Sequence, residues 1–401
     1  MLSRAVLSLV AAAWLVAGAP VAPILLAAKI ADIIPDNWIV VMRAGVSESA
    51  FRAHLSSRDP AVVSRIKSTF RLGRFKGYSG SFTRTLVDAL TTSLDIAWIE
   101  PDTRVRTLTL TSQFNASWGL SRISHREANG TSYIYDESAG EGTFAYIIDT
   151  GIYVEHAEFE GRATFGANLV GDGDDSDSNG HGTHCAGIIG SRSYGVAKKA
   201  SLIGVKVFGA NGSSSMSNII AGIEWAVDDA REKGRIGRAV ANLSFGGFYS
   251  RSGNAAVRAA VEAGLFVGAA AGNDGAPAFF TTPASERTAC TVGATDMTDA
   301  RAPYSNFGSV VDIFAPGRSI ISTWIGGPTR TNTKSGTSMA VPHVVGLAAY
   351  LMGLEGPKEP GPLCEQMRQM ATKKKLSGTS RSFLPGLMGT PNLLAYNDNG
   401  A

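Results

Sequence analysis

The chain has 401 residues, a net charge of +3 and 18% charged residues, and its 46 glycines are the main departure from an ordinary globular composition. This length is enough for a large domain and a smaller one. The charge imbalance is mild and no basic stripe is interleaved with aromatic residues, so the composition argues against a nucleic-acid-binding protein, and we expect no nucleic-acid partner.

The N-terminus predicts a secretory signal. Arg4 is followed by an apolar run that ends in Ala17-Gly18-Ala19, the form of a cleavage site, so residues 1–19 are predicted to be a signal peptide. The apolar run continues to Ala28, and a membrane anchor is therefore the alternative, but two prolines interrupt it. We expect a secreted, extracellular protein with no membrane attachment after signal removal.

Residues 20–110 have the pattern of a small α+β unit. Short strands are predicted at 37–43 and 94–100, with a helix at 47–57 between them. The segment 101–112 has alternating threonines and is predicted to be extended and exposed. It marks a domain boundary.

From residue 111 to 401, apolar strand-like runs alternate with helical stretches. Runs that are apolar on both faces are typical of a parallel sheet with helices on both faces, so the predicted fold class is α/β. In such sheets, ligands bind at the carboxyl ends of the strands. Strands are predicted at 142–149, 201–208, 239–245, 264–271 and 310–316, and helices at 181–190, 216–234 and 253–264.

Asp149 and His181 are the first candidates for chemistry. Asp149 closes an apolar run in IIDTG. The triplet DTG also occurs in aspartic proteases, but those need two carboxylates and an all-β pattern, and this chain has one such triplet. His181 lies between glycines in NGHGTHCAG, at a predicted helix start. Its spacing from His184 and Cys185 puts three possible metal ligands on one helix face, so a metal site is the alternative, although no second cluster completes it.

Asn273 and Ser338 lie in AAGND and SGTSMAVPH. Asn273 is either an Asx-turn residue or a donor to a developing oxyanion. Pro342 is tolerated in a first helical turn, so a helix begins near Ser338, which is either an N-cap or a nucleophile at the positive helix end. A serine nucleophile needs a base, a group that orients the base and an oxyanion donor, and His181, Asp149 and Asn273 are suited to these roles.

These four motifs, in this order, resemble those of the subtilisin-like serine proteases. The proteinase K branch is the more similar one, through residues 191–213, 283–295 and 322–327. The resemblance spans residues 113–401 and implies a serine endopeptidase that acts on proteins and peptides. The preceding part resembles the family's inhibitory propeptide, including IPDNWIVVMR at 34–43.

The resemblance implies a role for each candidate. His181 takes the proton of Ser338 as it attacks the scissile carbonyl, and Asp149 orients and stabilises the imidazole. The Ser338 amide and the Asn273 side chain hold the oxyanion, and the chemistry needs no cofactor.

Substrate handling is also implied by the resemblance. An edge segment pairs with an extended peptide, and small residues form a roomy apolar pocket that favours aromatic or aliphatic side chains before the cut. On the residues alone, these glycines and alanines are equally consistent with tight packing. The residues implied in substrate binding are Gly212, Ser244, Phe245, Gly246, Ala270, Ala271 and Gly272.

Regulation and metal binding follow from the same resemblance. Residues 20–110 are expected to be a propeptide that inhibits its own monomeric enzyme, with its tail in the substrate groove until self-cleavage near Leu110-Thr111. Related enzymes bind structural calcium, and the matching ligands are the carbonyls of Arg287 and Ala289 with the carboxylate of Asp312.

Cysteines and sequons add three expectations. The three cysteines allow one disulfide; Cys290 and Cys364 flank the serine motif and are the preferred pair, while the other two pairings stay open. Sequons predict glycosylation at Asn115, Asn129 and Asn211. A fourth, at Asn242, is expected to be buried in the edge strand and unmodified.

Two other functions compete with peptide hydrolysis. A protease fold that keeps its prodomain bound would act as a binding protein, which the loss of a catalytic residue would favour, and none is lost here. A small-ester hydrolase would carry the G-x-S-x-G elbow, and Ser338 in G-T-S-M-A lacks its last glycine.

Overall fold

A computed structural model of the chain divides into two compact units, Met1–Arg106 and Thr107–Ala401. The predicted signal peptide lies outside the described residues. The structure describes residues 21–25, 33–56, 60–103, 109–379 and 389–400.

The first unit is an antiparallel sheet with helices. Its elements are β1 (Ile33–Met42), α1 (Glu48–Ser56), α2 (Pro60–Val63), β2 (Ile66–Leu72), β3 (Phe75–Ser81), α3 (Arg84–Leu90) and β4 (Ile96–Thr103). The strands pair antiparallel in the order β2-β3-β1-β4. Strand residues such as Val40, Tyr78 and Ile99 bury their side chains against Phe51 of α1 and Val87 of α3. This is the α+β unit that the sequence predicts.

The second unit is built on a nine-stranded sheet. Its elements are β5 (Leu110–Phe114), α4 (Trp118–Ser124), β6 (Ser132–Asp136), β7 (Phe144–Asp149), β8 (Ala163–Asn168), α5 (His181–Gly190), β9 (Ser201–Lys206), α6 (Met216–Glu232), β10 (Ala239–Leu243), β11 (Gly247–Phe248), α7 (Arg251–Glu262), β12 (Phe266–Ala270), β13 (Thr281–Thr282), β14 (Cys290–Thr295), β15 (Ile313–Pro316), β16 (Ile320–Thr323), β17 (Thr331–Lys334), α8 (Thr337–Glu355), α9 (Pro360–Met370), β18 (Thr372–Lys373) and β19 (Leu393–Leu394). The sheet order is β18-β19-β15-β14-β12-β10-β7-β9-β8, parallel except for the edge strand β18.

Alternate residues of the central strands enter two cores, one on each face of the sheet. In β7, Ala145 and Ile147 pack in the core that contains α5 and α8, whereas Tyr146 and Ile148 pack in the core that contains α6 and α7. Successive strand side chains point to opposite faces, so a sheet covered on both sides needs strands that are apolar throughout. The predicted α/β fold class is confirmed.

Several features of the sheet differ from the sequence prediction, and the strands β8, β18 and β19 are not predicted. The prediction that Asn242 lies in an edge strand is wrong, because β10 lies in the middle of the sheet between β12 and β7, although the side chain is buried as expected. The strand β14 is not predicted, because Cys290 and Thr291 shorten its apolar run.

The structure has one disulfide among the described residues, and its longest described helix, α8, is largely buried. Cys290 in β14 and Cys364 in α9 form the disulfide, and Cys185 is a buried free thiol. Among the described helices, α8 alone has the length and apolarity of a membrane span, and 89% of its most apolar window is buried. It has the burial of a core helix.

Candidate active site

Chemically active side chains collect at the carboxyl ends of neighbouring strands. Asp149 ends β7, and in the pairing register it lies beside Lys206 at the end of β9. On the other side of β7, β10 leads into Ser244, and β12 ends shortly before Asn273. Parallel strands that end together bring these groups to one edge of the sheet, where α/β folds bind ligands.

Asp149 holds the ring of His181, the first residue of α5. His181 Nδ1 donates to Asp149 Oδ1 at 2.7 Å, and the same oxygen accepts from the Thr150 amide at 2.8 Å. The Asp149 side chain is 2% exposed and that of His181 is 32% exposed. Burial lowers the pKa of the imidazole, but the charge of Asp149 and this hydrogen bond raise it by more, so the pKa of His181 lies above its ordinary 6.5.

The start of α5 needs glycine on both sides of His181. Gly180 has a φ of +98°, and a Cβ there would lie 2.6 Å from the ring of Trp324. A Cβ on Gly182 would lie 2.1 Å from the Gly151 carbonyl oxygen. The two glycines therefore allow the histidine to approach the loop that follows β7.

Asp177 organises this helix start and is missing from the sequence-based candidates. Its Oδ1 accepts from the Gly180 amide and the Thr150 hydroxyl, both at 2.8 Å, and its Oδ2 accepts from the Thr183 amide at 2.9 Å. A carboxylate just before a helix satisfies amides that have no helical partner and faces the positive end of the helix dipole. An aspartate four residues before His181, close to the predicted helix start, is the sequence feature from which this role could have been predicted.

Ser338 is the second residue of α8, which begins at Thr337, so its interpretation as an N-cap is wrong. Pro342, four residues on, has no N–H, and the Ser338 carbonyl therefore lacks its helical partner. The Ser244 hydroxyl donates to this carbonyl at 2.9 Å and the Cys185 thiol at 3.4 Å. Side chains from the end of β10 and from α5 thus replace the helical bond that the proline removes.

Cys185 connects Ser338 with the other two residues of the predicted triad. Its sulfur, a ring nitrogen of His181 and a carboxylate oxygen of Asp149 lie within 4.8 Å of one another. The Ser338 side chain is half-buried, and its hydroxyl has no hydrogen-bond partner among the residues that the structure describes. Contacts between a nucleophile and its base often tighten only when substrate binds. The structure thus places the side chains of Asp149 and His181 and the backbone carbonyl of Ser338 near one thiol.

Thr337 orients the side chain of Asn273. Asn273 Oδ1 accepts from the Thr337 amide at 2.8 Å and from its hydroxyl at 3.0 Å, across 64 positions of sequence, so the Asx-turn interpretation is wrong. The amide nitrogen is left to face the other way. A Cβ on Gly336 would lie 3.6 Å from both Asn273 Nδ2 and the Ser338 backbone nitrogen. Two donors therefore flank a space that glycine leaves open.

His184 does not join the others in a metal site. Its Nε2 lies 3.1 Å from the carbonyl oxygens of both Ile320 and Asn332. Burial lowers the pKa of His184 to about 4, and burial raises the pKa of the Cys185 thiol. The predicted ligand set of His181, His184 and Cys185 is therefore not brought together, because His184 contacts two carbonyl oxygens while Cys185 and His181 lie near Asp149.

A cavity of about 600 Å³ opens beside Asn273. Gly272, which is predicted for the substrate pocket, lines it, and so does Gly246 of the predicted edge segment. The other two predicted wall residues, Ala270 and Ala271, are buried and are not among its lining residues. The open space is therefore bounded by glycines rather than by the alanines that precede them.

Phenylalanines that the sequence analysis does not single out extend this cavity. Phe248 in β11 and Phe280 line it and are 97% and 59% exposed. Phe248 pairs with Thr281 in the short ladder between β11 and β13, and Phe280 is the residue just before β13. Glycines and aromatic rings thus both contribute to the lining of the cavity.

The remaining predicted substrate residues lie around the same edge of the sheet. The Ser244 hydroxyl is bound to the Ser338 carbonyl, and the Phe245 ring packs on Phe208 with 5.2 Å between centroids. Both side chains make contacts within the protein, so only the backbone of these residues is available to pair with another chain. A Cβ on Gly212 would lie 3.5 Å from Asn179 Nδ2, close to the start of α5.

Asp312 has the character of a cation ligand. Burial raises the pKa of its carboxyl to about 6, although its Oδ2 accepts from the Thr291 amide at 2.8 Å. The carboxylate lies beside Cys290 and Cys364, whose sulfurs are bonded to each other and cannot bind a metal. A half-buried carboxylate with few donors fits a calcium ligand, and Arg287 and Ala289, whose carbonyls are the other predicted ligands, immediately precede β14.

The predicted glycosylation sites differ in exposure from the fourth sequon. The side chain of Asn242 is fully buried. The three exposed sequon residues are Asn115, Asn129 and Asn211.

Comparisons with known proteins give one consistent result. Residues 140–383 match the model of the subtilase family. The chain is 48% identical over 380 residues to a subtilisin-like protease of Coccidioides posadasii, with 92% of each chain covered. It is 47% identical over 366 residues to the cuticle-degrading protease of Metarhizium anisopliae, covering 91% of this chain and 90% of that one. A solved cold-adapted subtilisin-like serine proteinase is 42% identical, with a TM-score of 0.65, covering 71% of this chain and 98% of that one.

The histidines of α5 should titrate in opposite directions from the ordinary value. In the full chain carrying Ser338→Ala, imidazole NMR should give His181 a pKa above 6.5 and His184 a pKa near 4. Asp149→Asn removes the charge that raises the pKa but keeps the burial that lowers it, so His181 should then titrate below 6.5. His184 is the internal control. A His181 pKa that does not respond to Asp149→Asn would contradict the contact.

Proposed function

Because the chain belongs to the subtilase family of serine endopeptidases, we propose that Asp149, His181 and Ser338 hydrolyse its peptide substrates and that it is a secreted, self-processing zymogen. The observation that carries the residue assignment is the 2.7 Å hydrogen bond between His181 and a buried Asp149, beside the start of α8. No cofactor enters the chemistry.

Each of the three residues does one task. Ser338 Oγ attacks the scissile carbonyl, and the nitrogen of His181 opposite its Asp149 bond takes the hydroxyl proton and returns it to the leaving amine. Asp149 keeps the ring in the tautomer that accepts this proton and stabilises the imidazolium. Ser338 lies at the positive end of α8, which favours negative charge developing next to it.

The oxyanion is held by the Ser338 amide and the Asn273 side chain. The amide lies in the first turn of α8, where it has no helical partner. The bonds from Thr337 to Asn273 Oδ1 direct the Nδ2 donor toward the same space, beside Gly336. Donors that are already oriented need no rearrangement when the charge appears.

The substrate pairs with the protein mainly through its backbone, between Gly212 and the segment Ser244–Gly246. The side chain before the cut enters the cavity beside Asn273. The glycines that line it leave room for a side chain, and the rings of Phe248 and Phe280 favour aromatic and aliphatic side chains with broad tolerance.

The N-terminal regions control the enzyme. Residues 1–19 direct secretion, and residues 20–110 inhibit the enzyme until self-cleavage near Leu110-Thr111. That bond lies within β5, which pairs with β6. The mature monomer starts near residue 111 and acts outside the cell, with glycans at the three exposed sequons.

A calcium ion would be held by the Asp312 carboxylate and the carbonyls of Arg287 and Ala289. When bound it would neutralise a half-buried carboxylate next to the disulfide and tie β14 to β15. Its contribution is to stability, since Asp312 is not among the residues around His181.

The oxyanion role of Asn273 predicts a selective loss of turnover. Asn273→Ala should lower kcat by roughly 100- to 1000-fold, with a much smaller change in KM, because the donor acts mainly in the transition state. Thr337→Val, which keeps the amide donor to Asn273 but loses the hydroxyl, is the matched control and should lose far less. An unchanged kcat in Asn273→Ala would remove this residue from the mechanism.

The zymogen proposal predicts that processing depends on Ser338. The secreted wild-type chain should start near Thr111 by N-terminal sequencing, and Ser338→Ala should keep its propeptide, because the nucleophile that cuts the chain is absent. A phosphonate probe should label the wild type at Ser338 only, and a peptide library should give cuts after aromatic and aliphatic residues.

Other outcomes of the same experiment identify the competing functions. A wild-type chain that keeps its propeptide and cuts no peptide is a binding protein. Hydrolysis of small esters without peptide cleavage indicates an ester hydrolase. Intact mass and gel filtration report glycan occupancy and the monomer.

Calcium binding predicts a thermal response that depends on Asp312. Chelation should lower the unfolding midpoint of the wild type by about 3–5 °C, if calcium is at about 100 times its Kd. Asp312→Asn should already have the lower midpoint and show no further change. Asp228→Asn, on the exposed face of α6, is the control and should respond like the wild type. A chelator-insensitive wild type contradicts the site.

A further inference from the structure

Lys206 is a buried cation that the proposed catalytic roles leave unexplained. It ends β9 beside Asp149, and its side chain is 1% exposed. A buried ammonium is costly unless polar groups surround it. The partners that the structure gives it come from residues 171–178, GDGDDSDS, which we call the acidic loop.

The acidic loop presents three oxygens to this ammonium. Lys206 Nζ donates to the Ser176 carbonyl at 2.9 Å, and Oδ2 of Asp172 and Oδ2 of Asp174 lie 3.4 Å and 4.0 Å away. The other oxygen of each carboxylate folds the loop, since Asp172 Oδ1 accepts from the Asp174 amide and Asp174 Oδ1 from the Ser176 amide. One carbonyl and two carboxylates around a single positive charge are the ligands that a hard metal ion takes.

The loop leads directly into the start of α5. Ser176 precedes Asp177, whose carboxylate accepts from the Gly180 and Thr183 amides around His181. A shift of the Ser176 carbonyl therefore moves Asp177 and, with it, the first turn of the helix. Lys206 also lies beside Asp149 in the sheet, so its ammonium ties the loop to the strand that orients the His181 ring.

We propose that the Lys206 ammonium is a tethered cation that does for the acidic loop what a bound metal ion would do, and that Lys206 is a positioning residue for His181. The catalytic part of this inference rests on the proposed function. A cation that is covalently attached stays in place at any metal concentration. The acidic loop should therefore be indifferent to chelation.

Two substitutions separate the charge of Lys206 from its volume. Lys206→Met fills a similar volume without charge, whereas Lys206→Ala leaves an oxygen-lined cavity that a small amine cation can enter. Both should lower kcat of the mature enzyme by roughly 10- to 100-fold, because the histidine is misplaced, with KM within about twofold. Methylammonium chloride should raise kcat about tenfold in Lys206→Ala and should leave kcat of Lys206→Met unchanged. Tetramethylammonium chloride at equal ionic strength is the salt control, and Lys199→Ala, at an exposed lysine, is the matched variant.

The kcat values and the response to methylammonium test the positioning role and the tethered cation separately. Wild-type kcat in Lys206→Met overturns the positioning role, and an equal response of the two variants to methylammonium overturns the tethered cation. If a variant does not mature, thermal midpoints are compared in the full chain carrying Ser338→Ala. There, methylammonium should raise the midpoint of Lys206→Ala and leave Lys206→Met unchanged, and no rise overturns the tethered cation. This readout needs no peptidase activity, so it separates failure of this inference from failure of the proposed function.

Discussion

The burial of the Asp149 carboxylate is the constraint on which the rest of the site depends. A charge at the end of a central strand is shielded from water and needs donors close by. The Thr150 amide and the His181 ring meet this need at one oxygen. Since His181 must reach a strand end, α5 has to begin against the loop after β7, which accounts for the glycines on both sides of the ring.

The helix that carries Ser338 meets a second constraint, set by its proline. Pro342 leaves the Ser338 carbonyl without its helical donor, and Ser244 and Cys185 donate to it instead. The missing hydrogen bond within α8 is thereby replaced by bonds from the end of β10 and from α5. Thr337, one residue earlier, uses its amide and hydroxyl to orient Asn273. The nucleophile and the oxyanion donor are therefore positioned by adjacent residues of one helical turn.

The reach of sequence reasoning can be judged at particular residues. Asp149, His181, Asn273 and Ser338 each lie in a short motif with glycine or small residues around it, and the start of α8 is found within one residue. Asp177 carries no such motif, because its role comes from amides that become neighbours only when the loop folds onto α5. The sequence analysis does not identify Thr337, Lys206 and Phe248 for the same reason. Each of their contacts joins segments that are distant in the chain.

The sequence by itself determined the alternation of strands and helices, the polar residues at the strand ends and the family, because periodicity and motifs are local properties of the chain. Only the tertiary structure decided that Asn242 lies in a central strand, that Cys290 pairs with Cys364, that His184 contacts two backbone carbonyls and that glycines are among the residues that line the cavity. These facts depend on which strands become neighbours in the sheet. Strand order is settled by how both apolar faces are buried at once, and no local segment contains that information.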